Sequence, residues 1–341
     1  MKIKILVLNI DDVGGIERVA FNMFNMFKKD KLLSNVEIVS VNGKMVSSGV
    51  SILDGSSENN KLYDFAKSID SDTIVLSLYD RLTIKLSFIR KVKRKLFKLY
   101  ACQHADYYAH RVSTRILRRI SYRWVDKIIA LTVTDFKFYQ RFFSDVHIIP
   151  NVLGYYPISA LSQDKRSIDC AAAGRLVPVK QYDHYYQFLN KVQKIKENGA
   201  FRLYGDGPKA NDLINILESI GISSKDVQVG VVDDIYSELN KTKFFFVTSE
   251  RESFSMVILE AMACGCVVIS YDCPTGPREL IDDGVNGFLV KANDVSGLVD
   301  CYTRLLDNVE LCQSISDSAR ATALNYLESN IIIKWKDICE Q

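Results

Sequence analysis

The sequence predicts an α/β protein built from two Rossmann-like domains whose strand ends face each other across a cleft. Three observations carry that reading. Short apolar runs alternate with helical patterns from end to end, the signature of parallel sheets with helices on both faces. The alternation breaks at "PNVLGYYPISALSQDKRS" (150–167), which holds two of the six prolines and no clear periodicity and therefore reads as a linker. The chain has 341 residues, 48% hydrophobic and 25% charged, enough for two separate cores and unlike a disordered or fibrous chain.

Before the linker, strands are expected near 3–9 (IKILVLN), 36–41, 73–78, 98–102, 127–131 and 146–149, with helices such as 15–28, 81–97 and 110–124 between them. After it the pattern restarts with strands at 168–173, 200–204, 226–229, 243–248, 266–270 and 287–290. Helices are expected near 180–197, 208–220, 234–240, 255–264, 276–282 and 294–307.

No apolar run approaches the roughly 18 to 20 residues of a membrane span. The opening "MKIKILVLNIDD" enters a strand directly, without the pattern of a signal peptide, so a cytoplasmic location is expected. The eight cysteines (Cys102, Cys170, Cys264, Cys266, Cys273, Cys301, Cys312, Cys339) form no CxxC pair and have no histidine at zinc-finger spacing, which favours reduced, buried thiols.

Net charge is only +3 but unevenly placed. Between 81 and 123 stand Arg81, Lys85, Arg90, Lys91, Lys93, Arg94, Lys95, Lys98, Arg111, Arg115, Arg118, Arg119 and Arg123, against the single acid Asp106. Such a block suggests an anionic partner: lipid headgroups, a phosphate-bearing acceptor or nucleic acid. The blander reading is a solvated helix face.

In open α/β sheets, ligands bind beyond the carboxyl ends of the strands, and the chemistry-bearing motifs all fall there. "NIDDVGGIERVAFNM" (9–23) is a strand, then Gly14-Gly15, then a helix; glycines allow close backbone approach and leave helix N–H groups for an anion, or simply make a turn. "AAAGRLVPVKQYDHY" (171–185) sets Gly174, Arg175 and Lys180 after a strand. Two cations there suit a diphosphate, the alternative being a solvated loop. "SERESFSMVILEAMACG" (249–265) places Glu252 in a loop and Ser253 or Ser255 as N-cap of a helix whose N–H groups could receive a phosphate. Glu260, about a turn and a half into that helix, would be a costly buried carboxylate unless paired. Ribose hydroxyls or a salt bridge to Arg251 or Arg278 would satisfy it. "SYDCPTGPREL" (270–280) introduces another helix through Gly276-Pro277. In "YACQHADYY" (100–108), His104 follows a strand and could polarise a substrate, although a lone histidine is more often structural. His110 and His184 read as surface helix residues, and His147 as a strand residue.

Together these residues resemble the retaining glycosyltransferases of family 4, with the GT-B fold, over nearly the whole chain. The most specific parts are "GRLVPVKQYD" and "ESFSMVILEAMACGCVVISYDCPTGPRELIDDGVNGFLV". The latter is similar to the family's motif of a glutamate, seven residues and a further glutamate. The resemblance implies that Glu252 contacts the transferred sugar and Glu260 the donor ribose. By the same resemblance Arg175 and Lys180 hold the diphosphate, Gly14 and Gly15 admit it, His104 sits beside the sugar, and Ser253, Phe254, Ser255 and Val231 line the donor site. "LYGDGP" (203–208) and "VGVVDDIY" (229–236) match segments flanking the nucleobase.

The divisions expected are an acceptor-binding domain over 1–155, a nucleotide-sugar domain over 165–310, and C-terminal helices over 311–341 that cross back to the first domain. The implied activity moves a hexose or N-acetylhexosamine from a UDP-sugar to a saccharide, lipid-linked, in bacterial surface polysaccharide synthesis such as O-antigen, capsule or lipopolysaccharide. No cofactor or metal is expected, since basic groups and helix N-termini would stabilise the leaving diphosphate, and Asp70-Ser71-Asp72 precedes a strand. The basic stretch 81–123 would hold the enzyme on the inner face of the cell membrane. A GT-B-like epimerase, a non-catalytic nucleotide-sugar binder and a nucleic-acid binder are the competing readings, the last resting on the basic block alone.

Overall fold

The computed structural model describes residues 1–340 apart from Val13, Val46, Lys194, Glu197 and Asn198, and at Tyr108 the backbone alone. Val13 of the glycine turn, and Lys194 and Glu197 of the helix expected over 180–197, thus lie outside the described residues. The chain divides into two compact units, Met1–Gly154 with Glu328–Gln341, and Tyr155–Leu327.

In the first unit the strands are β1 (Lys2–Asn9), β2 (Val36–Asn42), β3 (Val50–Ile52), β4 (Thr73–Ser77), β5 (Lys98–Cys102), β6 (Lys127–Ala130) and β7 (Val146–Ile148). They form a parallel sheet in the order β3-β2-β1-β4-β5-β6-β7. Helices α1 (Gly15–Lys29), α2 (Glu58–Ser68), α3 (Asp80–Lys93), α4 (Val112–Ser121) and α5 (Val133–Tyr139) connect the strands. The strand order reverses between β1 and β4, where a doubly wound sheet opens its crevice, and the N-terminus of α1 follows β1 there. Two details differ from the sequence expectation. Strand β3 and helices α2 and α5 are additional, their apolar patterns being short. Helix α3 ends at Lys93 rather than 97 because Arg94 turns left-handed (φ 49°) and its N–H closes onto the Arg90 and Lys91 carbonyls.

The second unit repeats the scheme. Its strands β8 (Ile168–Ala173), β9 (Phe201–Tyr204), β10 (Gln228–Gly230), β11 (Thr242–Val247), β12 (Val267–Asp272) and β13 (Phe288–Lys291) run parallel in the order β10-β9-β8-β11-β12-β13. Helices α6 (Tyr182–Val192), α7 (Ala210–Ser219), α8 (Ser224–Val227), α9 (Ile235–Asn240), α10 (Met256–Ala263), α11 (Pro277–Leu280), α12 (Val295–Leu306) and α13 (Val309–Ala323) connect and follow them. Tyr185, Phe188, Phe246 and Tyr302 stack and cross in the core, with the Phe188 and Phe246 rings 4.3 Å apart.

The C-terminal segment divides differently from the single 311–341 block expected. Helix α13 stays with the second unit: Cys312 and Ile315 join its core and Ser316 Oγ donates to the Gly265 carbonyl. Only the segment holding α14 (Glu328–Glu340) groups with the first unit, where Trp335 packs edge-on against Phe27 at 5.6 Å and Lys336 pairs with Asp30. All eight cysteines are buried and free.

Candidate functional site

In the second unit the carboxyl ends of β8, β11 and β12 carry the matched motifs. The loops after β8 and β9 pack backbone on backbone, which only glycine permits. A Cβ at Gly205 (φ +131°) would stand 2.0 Å from the Gly174 carbonyl oxygen, and one at Gly207 2.6 Å from that of Leu176. Gly174 N–H donates to Tyr204 and Leu176 N–H to Asp206 across this seam. The seam fixes the loop that presents Arg175 to solvent; among the described residues its guanidinium makes no ion pair. The loop after β11 is stitched to the same segment, Thr248 Oγ1 donating to the Lys180 carbonyl (3.0 Å) and Glu250 N–H to that of Val179 (2.8 Å).

Lys180 is not a second free cation. Its Nζ stands 2.7 Å from Oε1 of the buried Glu252 carboxylate, which also accepts from Ser249 Oγ at 2.7 Å. The Glu252 carbonyl accepts from the Thr275 hydroxyl, and a Cβ at Gly276 would come within 2.8 Å of Glu252 Cβ. Thr275 is β-branched yet held at φ +137°, a strained backbone of the kind kept at functional sites. Glu252 is thus gripped by the loops after β8, β11 and β12. Sequence reading missed Ser249 and Thr275, although both lie in the strand-end segments it singled out.

Helix α10 begins differently from the expected serine cap. Ser255 has φ 67° and ψ 75°, and no side chain caps the helix; capping needs an extended residue to aim its oxygen at the first turn. The Ser255 Oγ is instead buried without a hydrogen-bond partner among the described residues, at the helix end that carries partial positive charge. Ser253 beside it is half-buried. Phe254 faces the interior, packed against Tyr326 at 5.6 Å, so its side chain is core and only its backbone is left for a ligand. Glu260, in the second turn, is 1% exposed. Arg278, one of the partners considered for it, clamps Asp272 instead. Val231 is exposed just after β10, where the Gly230 carbonyl accepts from Gly205 N–H.

In the first unit, Gly14 precedes α1 in an extended conformation, and a Cβ there would meet Glu17 Oε2 at 2.4 Å, whereas one at Gly15 would meet nothing. The buried Glu17 accepts from the Tyr79 hydroxyl. His104 follows β5 with its Nε2 buried and without a hydrogen-bond partner among the described residues. Burial, only partly offset by the Asp80 charge, pushes its pKa down to about 4, so the imidazole is neutral at pH 7. It borders a cavity of about 10 Å³, the size of one water, shared with Met23, Cys102, Asn151 and Trp335.

Two sequence readings need correction in this unit. His110 is no free surface residue, for its Nε2 lies 2.7 Å from the buried Asp80 carboxylate. Arg118 belongs to the interior rather than to a basic surface, bonding Asp80 (3.2 Å), the Tyr139 hydroxyl (2.7 Å) and the Tyr107 carbonyl (2.9 Å). Burial opposes ionisation of Asp80, yet His110, Arg118 and Tyr122 together hold its pKa below the ordinary carboxylate value. Elsewhere in the stretch, Arg81 and Lys85 pair with Glu58 and Arg90 with Asp126, leaving Lys91, Lys93, Arg94, Arg111, Arg119 and Arg123 exposed. Asp70, of the Asp70-Ser71-Asp72 segment, pairs with Lys2 at 2.6 Å.

Residues 160–322 match the family model described as "Glycosyl transferases group 1". Over 99% of its own length and 99% of theirs, the chain is 24% identical to an uncharacterized glycosyltransferase of Haemophilus influenzae and 23% identical to the amylovoran biosynthesis glycosyltransferase AmsD of Erwinia amylovora. Among solved structures it resembles Anabaena Alr3699/HepE in complex with UDP-glucose, with TM-score 0.83, 18% identity and full coverage of both chains. It also resembles the lipopolysaccharide outer core galactosyltransferase WaaB in its apo form, with TM-score 0.74, 20% identity and coverage of 99% and 98%. The architecture of two parallel-sheet α/β units is that of the GT-B structures.

Proposed function

We infer that this glycosyltransferase, a GT-B enzyme with a group 1 domain, is a retaining enzyme of family 4 type. It moves a hexose or N-acetylhexosamine from a UDP-sugar to a lipid-linked saccharide in bacterial surface polysaccharide synthesis. Whole-length likeness to AmsD supports the polysaccharide assignment, and the likeness to a UDP-glucose complex supports the donor class. The single observation that carries the reading is the start of α10, where a buried Ser255 Oγ without a hydrogen-bond partner among the described residues and an uncapped helix N-terminus follow three residues after Glu252, the carboxylate that Lys180 holds. Such a terminus favours a phosphate.

Arg175 and Lys180 then balance the charge of the leaving diphosphate, which needs no metal in this scheme. Glu260 receives the ribose hydroxyls. Glu252 is already held by Lys180 and Ser249, which suits a fixed acceptor of sugar hydroxyl bonds rather than a nucleophile. The acceptor hydroxyl attacks C1 from the face the diphosphate leaves; the C1–O bond to phosphate breaks, the new C1–O bond forms, and the proton passes to a diphosphate oxygen. For Gly14, Gly15 and His104 the proposal keeps the diphosphate and sugar contacts implied by the resemblance. Acting on a lipid-linked acceptor, the enzyme would work at the inner face of the cell membrane.

The test is a thermal-shift titration with a panel of UDP- and GDP-sugars, with and without EDTA, since a ligand that binds only the native state raises Tm. The reading expects one UDP-sugar to stabilise the protein, EDTA to leave the shift intact, and Glu260→Ala to abolish it. No shift with any nucleotide sugar would sink it. Release of UDP with an altered free sugar and no acceptor would mark an epimerase instead.

A further inference from the structure

Helix α4 presents an outward face that the first unit does not cover. Val112, Ile116 and Ile120 recur every four residues and are 59%, 53% and 44% exposed, with Leu117 beside them, so they form one stripe. Arg111, Arg119 and Arg123 stand exposed along its flank, while Arg115 between them is half-buried. The opposite side turns Arg118 and Ser121 into the interior, which fixes the helix in rotation and commits the apolar stripe to the outside. The end of α3 adjoins it, Arg90 donating to the Trp124 carbonyl and Phe88 packing edge-on against the Trp124 ring. Just beyond lie Val92 and Leu96, 71% and 77% exposed, amid Lys91, Lys93, Arg94 and Lys95.

Apolar side chains alone would leave the occupant open. The charges decide it: helix α4 carries no acidic residue, and the exposed charged side chains on α4 and on the adjoining end of α3 are cationic. A stripe of aliphatic residues flanked by arginines is the chemistry of a helix lying in the interface of an anionic bilayer. No helix among the described residues is long and apolar enough to cross a membrane, which agrees with a helix that lies on the surface.

We propose that α4 is a membrane-docking helix, with Val112, Ile116 and Ile120 entering the acyl boundary and the flanking arginines meeting lipid phosphates. This rests on the lipid-linked acceptor inferred above and gives it a location. The loop 103–111 that carries His104 runs directly into α4, so docking would bring that loop to the layer where a lipid-linked saccharide presents its sugars. The reading moves the weight of membrane attachment from the basic stretch as a whole, much of which is internally paired, to one helix.

The test is co-sedimentation of the intact protein with sucrose-loaded vesicles of phosphatidylethanolamine and phosphatidylglycerol, and of phosphatidylcholine alone, at low and high salt. The doubly substituted I116S/I120S protein keeps every charge. The proposal expects wild type to bind the anionic vesicles, to keep part of that binding at high salt, and I116S/I120S to bind about tenfold more weakly or worse. Equal binding by the variant would overturn it, leaving electrostatics alone, as would failure of wild type to bind anionic vesicles. A wild-type dimer that I116S/I120S dissociates would assign the face to a second copy and equally overturn it. The nucleotide-sugar shift, run on both proteins, separates the two readings: retained in the variant, it shows the fold intact; missing from both, it sinks the donor assignment while the vesicle result stands.

Discussion

Lys180 Nζ and Glu252 Oε1 lie 2.7 Å apart, joining the loop after β8 to the loop after β11. Breaking such a pair from one side leaves a charge without its partner, whereas removing both sides is milder. Lys180→Met and Glu252→Gln should each cost about 1–2 kcal/mol, and the double variant about 1 kcal/mol less than their sum. Urea denaturation of the four proteins measures the coupling. Activity should not recover with stability: the double variant regains folding free energy but stays at least about a hundredfold down in kcat/KM. Recovery of both together would reduce the pair to a structural tie.

Ser255 should separate ligand binding from stability. Its buried hydroxyl has no hydrogen-bond partner among the described residues, so Ser255→Ala should change stability by less than about 0.5 kcal/mol. UDP affinity should fall about five- to tenfold through the lost hydrogen bond. Ser255→Gly, relieving the left-handed φ of 67°, should raise stability by up to about 1 kcal/mol. Calorimetric titration beside thermal melts checks both. An unchanged UDP affinity in Ser255→Ala would remove this oxygen from the donor site.

How far the sequence spoke depended on the range of the interaction. Strands such as 73–78 and 98–102 are local apolar runs and stand in the fold nearly as expected. Helix α5, only seven residues, is too short for periodicity to declare it. The strand-end placement of Arg175, Glu252 and Glu260 was legible because βα units fix which loops lie at the carboxyl edge. What could not be read was pairing across loops. That Lys180 would bind Glu252, that Thr275 would turn through φ +137° to reach its carbonyl, and that Phe254 would face Tyr326 all depend on contacts between distant segments. The burial of Arg118 inside a cationic run is the same lesson, since charge patterning cannot show that Asp80 lies underneath.

His104 and Asp135 should pull stability in opposite directions over one pH range. Burial lowers the His104 pKa from 6.5 to about 4, so the unfolded chain binds more protons between those values and stability falls as pH drops through them. Burial raises the Asp135 pKa from 3.8 to about 6; its contribution is complete below 3.8 and is lost as pH rises towards 6. Relative to wild type, His104→Gln should therefore lose less stability on acidification, and Asp135→Asn should lose more. Each difference should be on the order of 1–3 kcal/mol across pH 4 to 7. Urea midpoints through that range decide it, and parallel curves for the three proteins would refute both assignments.

Gly15 and Gly205 should answer the same substitution in opposite ways. At Gly205 a methyl would be driven to 2.0 Å from the Gly174 carbonyl oxygen, on a backbone at φ +131°, and neither atom can yield without parting the two loops. Gly205→Ala should cost more than about 3 kcal/mol and take activity with it. At Gly15 the methyl would meet nothing, and the residue is the first of α1, so Gly15→Ala should hold or slightly raise stability through better helix propensity. If that open space is where a phosphate approaches the start of α1, the same methyl should cut kcat/KM by tenfold or more, about 1.4 kcal/mol of transition-state binding. Full activity in a stable Gly15→Ala protein would mean that the space at this helix start is solvent, and that the glycine pair serves only to turn the chain.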